Sequence, residues 1–192
     1  MRMLLIGAPG SGKGTQSEQI AAHFGVTHIS SGDLLRRHVR DGTATGKAVQ
    51  KFVDRGDLVP DALVMDMLRK PVIAANETGG YVLDGFPRSV EQAQTAYETA
   101  HALGVSVQIA VHLDVPTEEL VRRLTARGRG SEDTADVIAH RLEVFHEHTL
   151  PMLRYYQGRE ELVVIDGAQP PEQVTAALFA ELKAWQHKAG EV

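Results

Sequence analysis

Short apolar runs recur along the chain, separated by longer stretches in which apolar residues return every three or four positions. The runs are "MLLIG" (3–7), "VTHI" (26–29), "YVLD" (81–84), "QIAVHLD" (108–114) and "LVVID" (162–166). Most are rich in Val, Ile and Leu, as strands covered on both faces should be. With helical stretches between them they predict a parallel α/β sheet joined by right-handed crossovers. The region 134–156 reads as one long helix that Pro151 should kink or break. The last helix spans about 171–187.

Two intervals depart from this alternation. About fifty residues separate "VTHI" from "YVLD", far more than one crossover helix needs. They read as three helices, "SGDLLRRHVRDG", "GKAVQKFVDRG" and "DALVMDMLRKPVIAANE", punctuated by Gly42, Gly46 and Gly56. This predicts a helical insertion at the sheet edge. The second interval, "ARGRGSEDTA" (126–135), is short, polar and Gly-containing, and predicts an exposed loop between two helices.

Composition narrows the chemistry. A length of 192 residues fits one domain with a small insertion. The formal net charge of -5 argues against broad nucleic-acid or anionic-membrane binding, so an anionic ligand must be met by a local basic cluster. The absence of cysteine excludes disulfides, thiolate catalysis and zinc-thiolate sites. The opening "MRMLLIGAPG" has too few apolar residues before its glycine turn for a signal-peptide core or a membrane span, and the expected location is the cytoplasm.

After the first predicted strand, "GAPGSGK" sets Gly7, four residues, then Gly12 and Lys13. This is phosphate-loop spacing in its required context of strand, glycine loop and helix. The glycines let backbone N–H groups approach phosphate oxygens, the helix offers its positive end, and Lys13 places a point charge on the outer phosphates. The plainer alternative is a glycine turn with a surface lysine. Gly14 follows the lysine and the hydroxyl comes one later, at Thr15; with no "NKxD" motif, this points away from switch GTPases and toward small-molecule kinases.

In "YVLDGFPRS" (81–89), Asp84 stands where a strand should end and can hold Mg2+ directly or through water. Arg88 is suited to forked contact with phosphate. A turn with a surface Asp84–Arg88 ion pair is the alternative. Ser30 and Asp33 fit a capping box, with Arg36 one helical turn beyond, and Ser89 with Gln92 fits another. The Gln92 amide is equally suited to the edge of a base. Arg123 and Arg127 share a helical face, Arg129 lies in the loop and Arg141 on the next helix, while Arg122 points elsewhere. Arginines flanking a mobile loop suit closure over phosphates with exclusion of water. The nine histidines show no ligand or dyad pattern, and no general base emerges.

"GAPGSGKGTQ", "SSGDLLR", "GDLVPD", "LDGFPRSVEQAQ" and "RLTARGRGSEDT" together resemble the adenylate kinase family, in order and spacing along nearly the whole chain. The resemblance implies an α/β fold with a five-stranded parallel P-loop kinase core, a helical insertion for the nucleoside monophosphate and a short lid. It divides residues 1–192 into a core (1–29, 60–125, 137–192), the insertion (30–59) and the lid (126–136). The absence of cysteines fits the short-lid form without zinc. The implied activity is reversible, Mg2+-dependent transfer of the terminal phosphoryl group of ATP to AMP, giving two ADP and balancing adenine nucleotides. The implied partners are ATP, AMP and ADP, with no nucleic acid and no membrane, and the implied state is a monomer.

By the same resemblance, Gly10, Ser11, Gly12, Lys13, Gly14 and Thr15 would hold ATP phosphates. Ser31 would contact AMP, Arg36 and Arg88 would hold its phosphate, and Asp57, Leu58 and Val59 would line its adenine. Gly85, Phe86, Pro87 and Gln92 would complete that site. Arg123, Arg127, Arg129 and Arg141 would neutralise the phosphoryl group in transfer, Arg127 nearest ATP at the lid hinge, Arg129 and Arg141 toward the acceptor. Gln169 would meet the ATP adenine through its backbone, and Asp84 the metal. Lys13, Arg88, Arg123, Arg127, Arg129 and Arg141 form the implied catalytic set. The nucleophile would be an AMP phosphate oxygen, already anionic, which accounts for the missing base. The Arg129–Arg141 spacing is one residue longer than the family pattern. Uridylate and cytidylate kinases are the nearest rival; "SSGD" and Gln92 favour adenine. A nucleotide-binding regulator without turnover is the rival from another class.

Overall fold

The computed structural model describes residues 1–159 and 161–190. Residues 160, 191 and 192 of the expected core segment lie outside the described residues. Five parallel strands form one sheet: β1 (Arg2–Gly7), β2 (Thr27–Ser30), β3 (Tyr81–Asp84), β4 (Ile109–Asp114) and β5 (Glu161–Asp166), in the order β2-β3-β1-β4-β5. The strands coincide with the five apolar runs to within a residue or two at their ends.

Alternation along the strands builds a core on each face. Leu4, Ile6, Ile29, Leu83 and Ala110 point to one side, where they meet residues of α2 (Ser31–Arg40), α3 (Ala44–Arg55), α4 (Asp61–Glu77), α5 (Val90–Ala102) and α8 (Met152–Gln157). Met3, Leu5, Val82, Ile109 and Val111 point to the other, against Ile20 of α1 (Lys13–Phe24) and Val174, Leu178 and Leu182 of α9 (Pro171–Gly190). β3 is buried along its whole length, whereas β2 is partly exposed and Val164 of β5 is 58% exposed, because these two strands are the sheet edges.

A third apolar cluster decides where the site lies. Ala8, just past β1, packs with Val115, with Leu120 and Leu124 of α6 (Thr117–Arg127), with Ile138 and Leu142 of α7 (Ala135–Val144), and with Phe145. It forms a floor under the glycine loop at the carboxyl ends of the strands, where parallel sheets place their ligands.

The insertion between β2 and β3 holds the three expected helices. The region expected as one long helix is α7, a wide turn over Phe145–Thr149 and then α8, so the break precedes Pro151. The 126–135 loop contains the end of α6 and a single tight turn at Gly130–Asp133. Among the described residues, no helix is long and apolar enough to cross a membrane.

α2 and α3 meet at Gly46. Thr43 caps α3 by accepting the Gly46 N–H at 3.0 Å, and its hydroxyl also lies 2.9 Å from His38 Nδ1. A Cβ on Gly46 would run into the His38 carbonyl. We expect Gly46→Ala to destabilise the protein by about 1–3 kcal/mol through forced overpacking, read as a lower urea midpoint. An unchanged midpoint would show that the two helices can part freely.

Candidate active site

The glycine loop joins Gly7 of β1 to Lys13 of α1. Gly12 precedes the helix and no side chain caps it; the first helical bond runs from Gln16 N–H to Gly12 O at 3.0 Å. The amides of Lys13, Gly14 and Thr15 therefore lie ahead of the helical ladder, at its positive end. Lys13 folds back over the loop, its Nζ donating to the carbonyls of Gly7 (2.8 Å) and Ala8 (2.9 Å). Burial pushes its pKa down to about 8; Asp84 opposes the shift, and Arg88, Arg141 and Arg127 add to it.

β3 runs into Asp84, which is 8% exposed, with His28 Nε2 at 4.0 Å from its Oδ2. Gly85 follows at φ 81°, and a Cβ there would lie 2.7 Å from Ser31 Oγ and 3.3 Å from Arg88 Nη2. Glycine thus serves both the left-handed backbone and the close approach. Among the described residues, Ser31 Oγ has no hydrogen-bond partner, and it is a buried polar atom facing this turn. Arg88 Nε donates to Gly85 O at 2.6 Å, and the Arg88 N–H donates to Gln92 Oε1 at 2.8 Å. Burial lowers the Arg88 pKa, Asp84 opposes, and Arg36 adds; as an arginine it stays charged.

Lys13, Arg36, Arg88 and Arg141 all line one cavity of about 120 Å³, with Asp57, Val59, Gly85, Phe86 and Pro87 around it. Burial lowers the Arg141 pKa to about 10, with Arg127 and Arg88 adding to the effect and Glu132 and Asp133 opposing it. Acids of the Gly130–Asp133 turn partly balance this charge. Glu132 lies 3.5 Å from Arg36 Nη1. Asp133 accepts a fork from Arg127 (Nε 2.8 Å, Nη2 2.6 Å) and lies 3.5 Å from Arg141 Nη1. The Arg127 bond holds the Asp133 carboxyl below the usual carboxylate range.

A second cavity, about 390 Å³, opens on the other side of the loop and is lined by Ser11, Gly12, Thr15, Arg122, Arg123, Gly167 and Gln169, among others. Arg123 Nε donates to Glu119 Oε1 at 2.7 Å, and Arg122 forks onto the same carboxylate. These bonds push the Glu119 pKa down to about 2. Gln169 Nε2 donates to Asp166 Oδ2 at 2.7 Å, which fixes the turn after β5. The two cavities thus lie on either side of the glycine loop, with Lys13 lining the first and the Glu119–Arg123 pair the second.

The adenylate kinase family model matches residues 5–161. "Adenylate kinase 1" of a Nostoc strain is 41% identical over 181 residues, covering 94% of this chain and 98% of the relative. The adenylate kinase of Thermobifida fusca is 41% identical over 187 residues, covering 96% and 99%. That of Mycobacteroides abscessus is 41% identical over 176 residues, covering 92% and 96%. The chain belongs to the adenylate kinase family.

In this adenylate kinase fold the two cavities bring together most of the residues singled out in the sequence. Gly10, Gly14, Ser31, Leu58, Asp84, Gln92, Arg127 and Arg129 border neither cavity. Gln92 is buried and its amide is used internally: besides the Arg88 N–H, it donates to Asp61 Oδ1 at 2.9 Å and to Val59 O at 3.4 Å. Ser89 caps its helix through the Gln92 N–H, as expected. Ser30 likewise accepts the Asp33 N–H, but Asp33 turns its carboxylate to Arg36 instead of closing a box. Arg129 donates its backbone N–H to Asp133 at 2.9 Å, and its charge bears on Asp33. Asp84 and Arg88 form no direct ion pair in the structure; each faces other partners. The sequence reading missed Glu119, Glu132, Asp133, Asp61, Thr149 and His140. The acids in "SEDT" were legible as charge beside arginines, but His140 and Thr149 carried no signal.

His140 of α7 hydrogen-bonds Asp57 Oδ1 at 2.7 Å, joining α7 to the end of the insertion, and its Nδ1 lies 3.7 Å from Glu143. The Asp57 bond raises the His140 pKa. A raised folded-state value means the ionic contribution is complete below the ordinary histidine pKa and is lost as pH rises through the raised one. We therefore expect His140→Gln to lower the urea midpoint at pH 6 and the difference to narrow toward pH 9. A pH-independent difference would rule out the ionic contribution.

Proposed function

We propose that this chain transfers the terminal phosphoryl group of ATP to AMP, reversibly, giving two ADP. The observation that carries this reading is the convergence of Lys13, Arg36, Arg88 and Arg141 on one small cavity between the glycine loop and the Gly85–Arg88 turn. ATP is assigned to the cavity of Ser11, Gly12, Thr15 and Gln169, with its phosphates along the loop amides from Gly10 to Thr15. AMP is assigned to the insertion side, its phosphate between Arg36 and Arg88, its base near Asp57, Leu58, Val59, Ser31 and the Gly85–Gln92 segment. Gln92 reaches the base only by exchanging one of its internal bonds. Insertion 30–59 and lid 126–136 are the proposed mobile parts.

The nucleophile is an AMP phosphate oxygen that carries its charge at neutral pH, so no side chain removes a proton. The chain's work is to hold two polyanions together. Two unit charges about 4 Å apart repel by roughly 4 kcal/mol at an effective dielectric near 20. Lys13, Arg88, Arg123, Arg127, Arg129 and Arg141 offset that repulsion and align the two phosphates. Mg2+ arriving with ATP would be held by Asp84, directly or through water, and would neutralise charge between the outer phosphates. Among the described residues no group of three or more His, Cys, Asp or Glu could hold a metal, and a lone carboxylate suits an ion held mainly by phosphate and water. The proposed state is a monomer, and cytoplasmic nucleotides are the proposed substrates.

The protein, incubated with ATP and Mg2+ and with AMP, CMP, UMP or GMP in turn, should form ADP rapidly with AMP alone and should regenerate ATP and AMP from ADP. Preference for CMP or UMP would overturn the assignment of the acceptor, and steady ADP release without acceptor would overturn exclusion of water. Arg88→Ala should lower kcat about a hundredfold or more with its circular dichroism unchanged.

A phosphate beside Lys13 should raise its pKa from about 8. ATP binding at pH 8 should then take up about half a proton, seen as a binding enthalpy that varies with the buffer. The variation at pH 8 should vanish in Lys13→Met. Equal enthalpies in all buffers at pH 8 would show that Lys13 is already protonated in the free protein.

A further inference from the structure

The wide turn before Pro151 has a consequence for Arg88. Proline lacks an N–H, and its ring crowds the carbonyl four residues back, that of Glu147. The helix opens over Phe145–Thr149, where the Leu150 N–H donates to Phe145 O at 2.8 Å, five residues back. A turn of this kind takes in an extra residue and redirects the side chains that follow. Thr149, at its end, is 6% exposed and borders the cavity of Lys13, Arg36, Arg88 and Arg141. Its Oγ1 donates to the Arg88 carbonyl at 2.7 Å, across 61 residues of sequence.

Arg88 is therefore held at three points. Its side chain is held by Gly85 O, its amide by Gln92 Oε1 and its carbonyl by Thr149. The first two partners belong to the same turn and the helix after it. Thr149 is the one of the three that ties the turn to another part of the fold, the helical stretch that also carries Arg141. Through Gln92 the same turn reaches Val59 and Asp61, at the end of the insertion.

We infer that Thr149 is a positioning residue, whose hydroxyl sets Arg88 relative to Arg141 so that both cations meet the same phosphate. The inference rests on the reading of Arg88 as a phosphate ligand. Thr149 touches no substrate in this scheme and acts through the Arg88 backbone alone. Displacement of a phosphate-binding group by an ångström is enough to slow transfer substantially.

Thr149→Val keeps the shape and removes the donor, leaving the Arg88 carbonyl unpaired. It should lower kcat/KM for AMP about tenfold to a hundredfold with KM for ATP unchanged. Thr149→Ser should restore activity to within about twofold of wild type, since the hydroxyl alone is needed. In an Arg88→Ala background, Thr149→Val should cost no further activity, because residues acting through one another are not additive. Wild-type behaviour of Thr149→Val, failure of serine to rescue, or an undiminished loss in the Arg88→Ala background would each overturn the inference. If the valine chain does not fold, Thr149→Ala, which leaves room for water, is held to the same criteria. A wild-type protein that makes no ADP from ATP and AMP would overturn the proposed reaction instead, a result plainly different from equal wild-type and variant rates.

Discussion

Four cations around one cavity of about 120 Å³ are the constraint on which this structure turns. Lys13, Arg36, Arg88 and Arg141 repel one another, and burial strips them of much of the water that would screen them. The protein as a whole carries a net charge of -5, so the positive charge is a local construction. Each cation is held by something close at hand: two loop carbonyls for Lys13, the Gly85 carbonyl for Arg88, and the acids of the Gly130–Asp133 turn for Arg36 and Arg141. Such a cavity favours an anion of high charge density, which would offset the mutual repulsion of the set.

The sheet makes this arrangement possible. Gly7, Ser30 and Asp84 all end parallel strands, and β1 lies between β3 and β4 in the middle of the sheet. The glycine loop therefore opens at the centre of one edge, with the insertion on one side and α6 and α7 on the other. The apolar floor of Ala8, Leu120, Leu124 and Phe145 supports the loop from below.

The Gly130–Asp133 turn meets these cations with the opposite charge. Glu132 and Asp133 occupy Arg36, Arg127 and Arg141 with carboxylates. A phosphate that is to use Arg127 must compete with Asp133 for the same fork. These arginines are engaged by the chain's own carboxylates, for which an anionic ligand would have to compete.

Much of this was legible in the amino-acid order because it depends on near neighbours. The apolar runs, the strand–loop–helix context of Lys13, the Asp84–Arg88 turn and the caps at Ser30 and Ser89 are all settled within a few residues. Pro151 announced a break, since its missing N–H acts wherever it sits. Only the tertiary structure decided the partners. Gln92 was suited equally to a cap and to a base, and packing against Val59 and Asp61 engaged its amide within the protein. Thr149 met Arg88 across 61 residues and His140 met Asp57 across 83, pairings that no periodicity encodes. Backbone geometry is a local property of the sequence, whereas the partner of a side chain depends on which distant elements the buried core brings within about 3 Å of it.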